Sequence, residues 1–242
     1  MKLIKLDAID STNEFLKGIA AQHDLENFTV VTAENQTKGK GQMGAVWNSE
    51  AGKNLIMSIL VKGFLSNPQE IFNLNIAVSM AVLIALKKNK IPDLSIKWPN
   101  DILSANKKIG GILIENSIKS DGTIQSIVGL GLNVNQTNFE GLPKASSLSI
   151  VTGQELDKEE LLSEIIENLE SSLAESIQNP TLLRQQFVDS LYKKDIPMPF
   201  MNQKNEKFMG IIQGISPIGR LQVGLDDDSV VEFDVKEVQM LY

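Results

Sequence analysis

The chain has no cysteine and a single histidine in 242 residues. Disulfides and thiolate metal sites are therefore excluded, and most zinc centres and His-dependent nucleophile arrangements go with them. Such a composition suits a reducing compartment, and a cytoplasmic location is expected. The one histidine, His23, follows an apparent helix end and reads as a solvated surface residue. Aromatic residues amount to only 5%, but the 42% of hydrophobic residues suffice for an ordinary globular core. No long basic run occurs, and the formal net charge is −7. Non-specific nucleic-acid binding draws on clustered Lys and Arg, so no DNA partner is expected. The longest apolar run, Ile76 to Leu86, is too short to cross a bilayer, and the opening Met1-Lys2-Leu3-Ile4-Lys5 is too interrupted for a signal peptide. No membrane partner is expected either.

What the chain does have is the loop from Glu34 to Trp47, set between two β-prone runs, Phe28 to Ala33 and Leu55 to Val61. Gly39, Gly41 and Gly44 let its backbone turn sharply and lie close to a ligand. Lys38 and Lys40 add positive charge, and Trp47 adds a flat apolar face. An anionic, partly apolar ligand such as a nucleotide or acyl phosphate suits this set, and a ligand-free surface turn is the plainer reading. The spelling G-x-G-x-x-G is not a dinucleotide fingerprint, because the segment returns to strand and not to helix. Nor is it a kinase loop, since no H-R-D or D-F-G follows.

In chain order, a strand at Leu3 to Leu6 precedes Asp10-Ser11-Thr12-Asn13-Glu14. Ser11 with Glu14 forms a capping-box pattern that starts a helix near Thr12, and its free N–H groups also suit a polar ligand head. Asn67-Pro68 opens an almost wholly buried helix reaching about Asn89. A strand at Leu94 to Lys97, a turn at Trp98 to Asp101 and a second turn at Ser104 to Lys108 lead into Ile109 to Glu115. Gly110 and Gly111 mark a close backbone approach there. Ser120-Asp121-Gly122 turns the chain into a strand at Ile124 to Leu132. Trp47 and Trp98 both stand in polar loop segments, open to core or ligand roles. Gln136 to Gly153 reads as less ordered, and helices follow from Asp157 and from Pro180. From Asp195, short apolar runs punctuated by glycine read as a small five-strand barrel or sheet of about 45 residues, appended through Tyr192-Lys193-Lys194.

Asp10-Ser11-Thr12-Asn13, Gln36 with Gly39 to Gly44 and Trp47, Lys97-Trp98-Pro99-Asn100-Asp101, Lys108 to Glu115, and Gly129 to Asn133 together resemble the biotin protein ligases. The Lys-Trp-Pro-Asn-Asp run followed by Lys-x-x-Gly-Ile-Leu-x-Glu is the specific part. The resemblance implies an α+β fold, with a mixed sheet packed with helices as in class II aminoacyl-tRNA synthetases, over residues 1–192. It implies an SH3-like β-barrel over residues 193–242. It further implies a ligase that joins biotin and ATP into biotinyl-AMP, releases pyrophosphate, and passes the biotinyl group to a lysine of a carboxylase's biotin carrier domain. Catalytic roles fall to Lys108 and Lys40. Biotin contacts fall to Ser11, Thr12, Asn13, Gln36, Lys40, Gly41, Gln42, Lys108, Gly111 and Gly129. ATP contacts fall to Gly39, Gly44, Trp47, Lys97, Asn100 and Asn133, and Mg²⁺ to Asn100 and Asp101. A second copy in a homodimer is compatible with the resemblance.

Two departures stand out. The family's loop commonly reads Gly-Arg-Gly-Arg-x-Gly-Arg, and the arginine positions here hold Lys40, Gln42 and Ala45. Fork-shaped phosphate donors are lost, with Lys38 a candidate to replace the charge. The chain also opens at the catalytic segment, so a repressor's helix-turn-helix is not expected. The competing readings are a lipoate or octanoate ligase of the same fold, and a non-catalytic biotin-binding protein.

Overall fold

The computed structural model describes residues 2–67, 70–119 and 121–242. Its larger sheet contains β1 (Leu3–Ile9), β2 (Val30–Gln36), β3 (Leu55–Lys62), β4 (Leu94–Lys97), β5 (Asp101–Ser104), β6 (Lys107–Ile118) and β7 (Ile124–Leu132), in the order β1-β2-β3-β7-β6-β5-β4. Only β1 and β2 run parallel; every other pair is antiparallel. The fold is thus a mixed α+β arrangement.

Both faces of the sheet centre are covered, which explains strands that read as unbroken apolar runs. On one face, Leu55, Met57, Ile59 and Val61 of β3 and Val128, Leu130 and Leu132 of β7 form one core with the helix α2 (Ile71–Lys88). The helices α4 (Lys158–Gln178) and α5 (Pro180–Asp189) pack on α2. α2 is long and apolar enough by composition to cross a membrane, a test its central run alone does not meet, but most of it is buried in this core. The other face carries α1 (Thr12–Gln22), where Leu16 and Ala20 meet Val31, Leu60 and Ile127. Alternation therefore assigns Ser58, Gly129 and Gly131 to the α1 face.

Local differences from the sequence reading have identifiable causes. The capping box does not form. The Ser11 side chain makes no cap bond, and Glu14 turns away to pair with Lys40 at 2.8 Å. Gln36 Oε1 accepts the Thr12 N–H at 2.8 Å instead, so a residue from another strand caps the helix. Pro68, Gln69 and Ser120, which belong to the expected start of α2 and the expected hairpin turn, lie outside the described residues; the N-cap of α2 is Glu70. Lys107 and Lys108 belong to β6 and not to a turn, because Ala105, at φ 51°, and Asn106 already reverse the chain. The segment 136–153 includes a short helix α3 (Leu148–Thr152), capped by the Ser147 hydroxyl and closed by Gly153 at φ 76°. α4 begins as expected, with the Asp157 carboxylate accepting from the N–H groups of Glu159 and Glu160.

The last part of the chain is a five-stranded antiparallel sheet of β8 (Pro197–Asn202), β9 (Lys207–Ile215), β10 (Leu221–Gly224), β11 (Val230–Phe233) and β12 (Val238–Met240), ordered β11-β10-β9-β8-β12. Phe200, Ile212, Leu221 and Val223 join the main core, so the two sheets share one apolar interior. Polar contacts fasten the joint. Trp98 Nε1 donates to Gly219 O at 2.9 Å, so this tryptophan serves the junction and lies outside the ligand cavity described below. The Arg184 guanidinium reaches Ser216 O, Pro217 O and Asn73 Oδ1 at 2.8–2.9 Å. Gly219 has φ 89°, and a Cβ there would fall 2.1 Å from Phe72 Cγ.

Candidate active site

A cavity of about 250 Å³ opens on the α1 face of the larger sheet, between the start of α1, the glycine loop and the strands β6 and β7. Its lining includes Ser11, Thr12, Asn13, Gln36, Lys40, Gly41, Gln42, Trp47, Asn100, Asp101, Lys108, Gly111 and Gly129. These residues are scattered over more than a hundred positions and meet because six segments converge.

One end is a buried polar head pocket. Ser11, Thr12 and Asn13 line it and are buried, and the buried Ser58 backs them from outside the lining. Ser58 Oγ lies 2.8 Å from Thr12 Oγ1 and 2.6 Å from Asn13 Oδ1. Thr12 Oγ1 also donates to Gln36 Oε1 at 3.1 Å, and Asn13 Nδ2 donates to Glu115 Oε2 at 2.9 Å. Ser58 escaped the sequence reading. It sits in an apolar run, and only the pairing of β3 with β7 reveals which face it occupies. Gly129 makes room for this network, because a Cβ there would fall 2.4 Å from Asn13 Oδ1.

The other end is charged. Lys108 Nζ pairs with Asp101 Oδ1 at 2.6 Å, and Lys97 Nζ stands 3.9 Å from Asp101 Oδ2. Strict alternation would put Lys108 on the face of Ile112, in the core. The register shift between β5 and β6 at Ile102/Leu103 inserts one residue and turns Lys108 over Gly111 on the cavity side. Its ammonium lies 5.5 Å from the centroid of the Trp47 ring. That ring covers Gly131, where a Cβ would fall 2.4 Å from Trp47 Cε2.

The glycine loop forms the cover. Lys40 bridges to Val46, Trp47 N donates to Gly39 O at 2.9 Å, and the tip turns through Met43 at φ 55° and Gly44 at φ 82°. A Cβ at Gly39 would fall 2.4 Å from Trp47 O, so this glycine is what allows the loop to close on itself. Lys40 raises no charge into the cavity unopposed. Its hydrogen bond to Glu14 lifts the lysine's pKa and holds the Glu14 carboxyl below its ordinary value. Lys38 is exposed and pairs with Asp10 at 2.7 Å, away from the lining.

Four residues assigned by the resemblance do not line the cavity: Gly39, Gly44, Lys97 and Asn133. Gly39 and Gly44 shape the loop backbone, and Lys97 reaches the site through Asp101. Asn133 is buried just beyond β7, its amide nitrogen donating to Ser146 O at 3.0 Å. Asn133 Oδ1 and Trp47 Nε1 are buried without hydrogen-bond partners among the described residues. Buried polar atoms are rarely left so, and each has capacity for a ligand group. Asn100 Nδ2 donates to Ile112 O at 2.6 Å, which leaves its oxygen free to turn to a ligand. Among the described residues no group of three His, Cys, Asp or Glu could hold a metal ion. A Mg²⁺ carried on nucleotide phosphates needs only one or two protein carboxylates, and the carboxylate in this lining, Asp101, is already paired with Lys108 and faces Lys97.

Known proteins resemble this chain along its length. Bifunctional ligase/repressor BirA of Bacillus spizizenii is 33% identical over 168 residues, 68% of this chain and 51% of the relative. The chain thus spans about half the length of that relative. The biotin--[acetyl-CoA-carboxylase] ligase of Mycobacterium tuberculosis is 29% identical over 231 residues, 91% of this chain and 82% of the relative. Among solved structures, the biotin protein ligase of Aquifex aeolicus in complex with biotin and ATP superposes with a TM-score of 0.82 at 26% identity, covering 99% of this chain and 98% of its own. The sequence model of the Biotin/lipoate A/B protein ligase family matches residues 6–133, more than half of the molecule. The chain belongs to the Biotin/lipoate A/B protein ligase family.

Proposed function

We propose that the protein is an ATP-dependent biotin–protein ligase that works through biotinyl-AMP. The observation that carries this reading is the cavity's division into a buried polar head pocket and a lysine–carboxylate end under Trp47. A ureido ring presents N–H and C=O groups that Ser11, Thr12, Asn13 and Gln36 can match. A lipoyl or octanoyl chain offers no such groups, and burying this network against hydrocarbon would leave polar atoms unpaired.

In the first step a biotin carboxylate oxygen attacks the α-phosphorus of ATP, and pyrophosphate leaves. The nucleophile is already ionised, so no general base is required, in keeping with a site that contains no histidine. The protein's tasks are to hold two anions together and to offset the charge that grows on the phosphate. Lys108 performs the second task, with Asp101 fixing its ammonium. Mg²⁺ supplies further charge neutralisation when it arrives with the nucleotide. Trp47 packs beside the nucleotide, and Asn133 Oδ1, unpartnered among the described residues just beyond the lining, has capacity for an adenine amine. In the second step the amine of a carrier lysine attacks the acyl carbon, AMP leaves, and an amide forms. The name of the mycobacterial relative supports a carboxylase carrier domain as the acceptor. The five-stranded sheet is read as the family's SH3-like domain, over residues 193–242, following a catalytic domain over residues 1–192.

Incubation with biotin, MgATP and a biotin carrier domain is expected to label one carrier lysine, measured by intact mass and peptide mapping. Labelling with lipoate and not with biotin would overturn the assignment. The head pocket gives a second expectation. Gln36→Leu removes the acceptor of both Thr12 bonds, and a buried polar group left unpaired costs about 1–3 kcal/mol. The apparent KM for biotin should therefore rise by roughly tenfold to a hundredfold while the KM for ATP moves little. Equal changes in both constants would make Gln36 a loop-ordering residue only.

A further inference from the structure

Tyr242 lies outside the cavity lining and joins lysines of the larger sheet's side to the five-stranded sheet. Its ring centroid is 4.0 Å from Lys144 Nζ and 5.2 Å from Lys97 Nζ, both within cation–π range. Tyr192 meets the same ring edge-on, with centroids 5.2 Å apart. The Lys144 ammonium also donates to the Tyr242 main-chain oxygen, and Leu241 N donates to Pro199 O at 2.9 Å, tying this segment to β8. Burial, then the Asp101 carboxylate, push the phenol above its ordinary pKa, while Lys108 pulls the other way.

Both lysines over this ring lead to Lys108. The Lys144 carbonyl accepts the Lys108 N–H at 2.7 Å, and Ser146 N donates to Lys108 O at 2.9 Å, so the Lys144 segment fixes the Lys108 backbone. Lys97 faces Asp101, whose other oxygen holds the Lys108 ammonium. One ring thus steadies a main-chain route and a side-chain route to the same residue. We infer that Tyr242 is a positioning residue for Lys108, acting through Lys144 and Lys97 across the junction of the two sheets. The inference rests on the reading that Lys108 serves adenylate formation, and its test separates the two.

Tyr242→Leu removes the aromatic face and Tyr242→Phe keeps it. Two readouts are taken on the full chain: biotin-dependent ATP–pyrophosphate exchange, and the rate of reductive methylation of Lys108 by formaldehyde and cyanoborohydride, followed by mass spectrometry. Tyr242→Leu is expected to lower kcat about fivefold to tenfold at an unchanged biotin KM, and to speed methylation of Lys108. Tyr242→Phe is expected to restore both to within about twofold of the native protein, since the phenyl face is the interacting group. Lys144→Gln, whose position lies outside the five-stranded sheet, should move both readouts in the direction of Tyr242→Leu and stands in for it if that variant does not fold. Native values in Tyr242→Leu, or equal impairment in Tyr242→Phe, would overturn the inference. So would a loss that appears in the biotin KM together with a fall in thermal midpoint, which marks a general packing role. Absence of exchange in the native protein would sink the ligase reading, and the methylation of Lys108 would then decide the positioning role alone.

Discussion

Lys108→Ala is expected to slow biotin-dependent ATP–pyrophosphate exchange by about 10²–10³, the scale for removing one preorganised charge-stabilising donor. The fold should survive the change. The side chain lies on the cavity face, turned there by the register shift between β5 and β6, and it contributes nothing to the core under α2. Its ion pair with Asp101 is partly solvated, with 35% of the lysine side chain exposed, so solvent screening keeps the pair's worth to about 1 kcal/mol or less. The loss should therefore fall on kcat with little change in thermal midpoint. A variant with near-native exchange would show that Lys108 only neutralises Asp101.

Gly129→Ala is the second change with a large expected effect, and it acts on the opposite end of the cavity. The new methyl would fall 2.4 Å from Asn13 Oδ1 and 3.0 Å from Asn13 Cγ. Asn13 has little freedom to retreat, because Ser58 holds its oxygen while Glu115 and the Leu113 carbonyl hold its nitrogen. Overpacking of this kind costs about 1–3 kcal/mol, and unpairing a buried amide adds about 1–3 kcal/mol more. Biotin affinity, measured by titration calorimetry, should drop by about a hundredfold or more, with a lower thermal midpoint. Native affinity would mean that the Ser58–Asn13 network does not receive the ligand head.

These two residues illustrate what the sequence discloses and what it withholds. Gly110 and Gly111 stand out in an otherwise apolar strand and signal close approach before any fold is known, whereas Gly129 and Gly131 are legible only through the resemblance. Lys108 is legible because it begins a motif. Its orientation is not, since a one-residue bulge in its own strand, set by the pairing of β6 with β5, decides which face it occupies. Ser58 looks like an incidental hydroxyl in a core strand until β7 is placed beside it. The Ser11 and Glu14 pattern misleads for a similar reason: a local cap competes with partners 24 and 26 residues away, and those partners win. Trp98, open to a core or a ligand role by its polar neighbours, is claimed by Gly219, 121 residues distant. Helices and strands follow from local periodicity, whereas these assignments depend on contacts across the chain.

The joint between the two sheets has a consequence for how this molecule can change over generations. Trp98 and Arg184 fasten the turn at residues 216–219 largely through its main-chain carbonyls, those of Ser216, Pro217 and Gly219. A carbonyl oxygen is present whatever the side chain, so substitutions at Ser216 or Ile218 leave those acceptors in place. Gly219 is the exception, since its positive φ and the nearness of Phe72 exclude any side chain. Exposed Ile218 is thus free to drift while the anchoring chemistry persists, whereas buried Ser216, whose hydroxyl accepts the Arg220 N–H, and Gly219 bound that tolerance on either side.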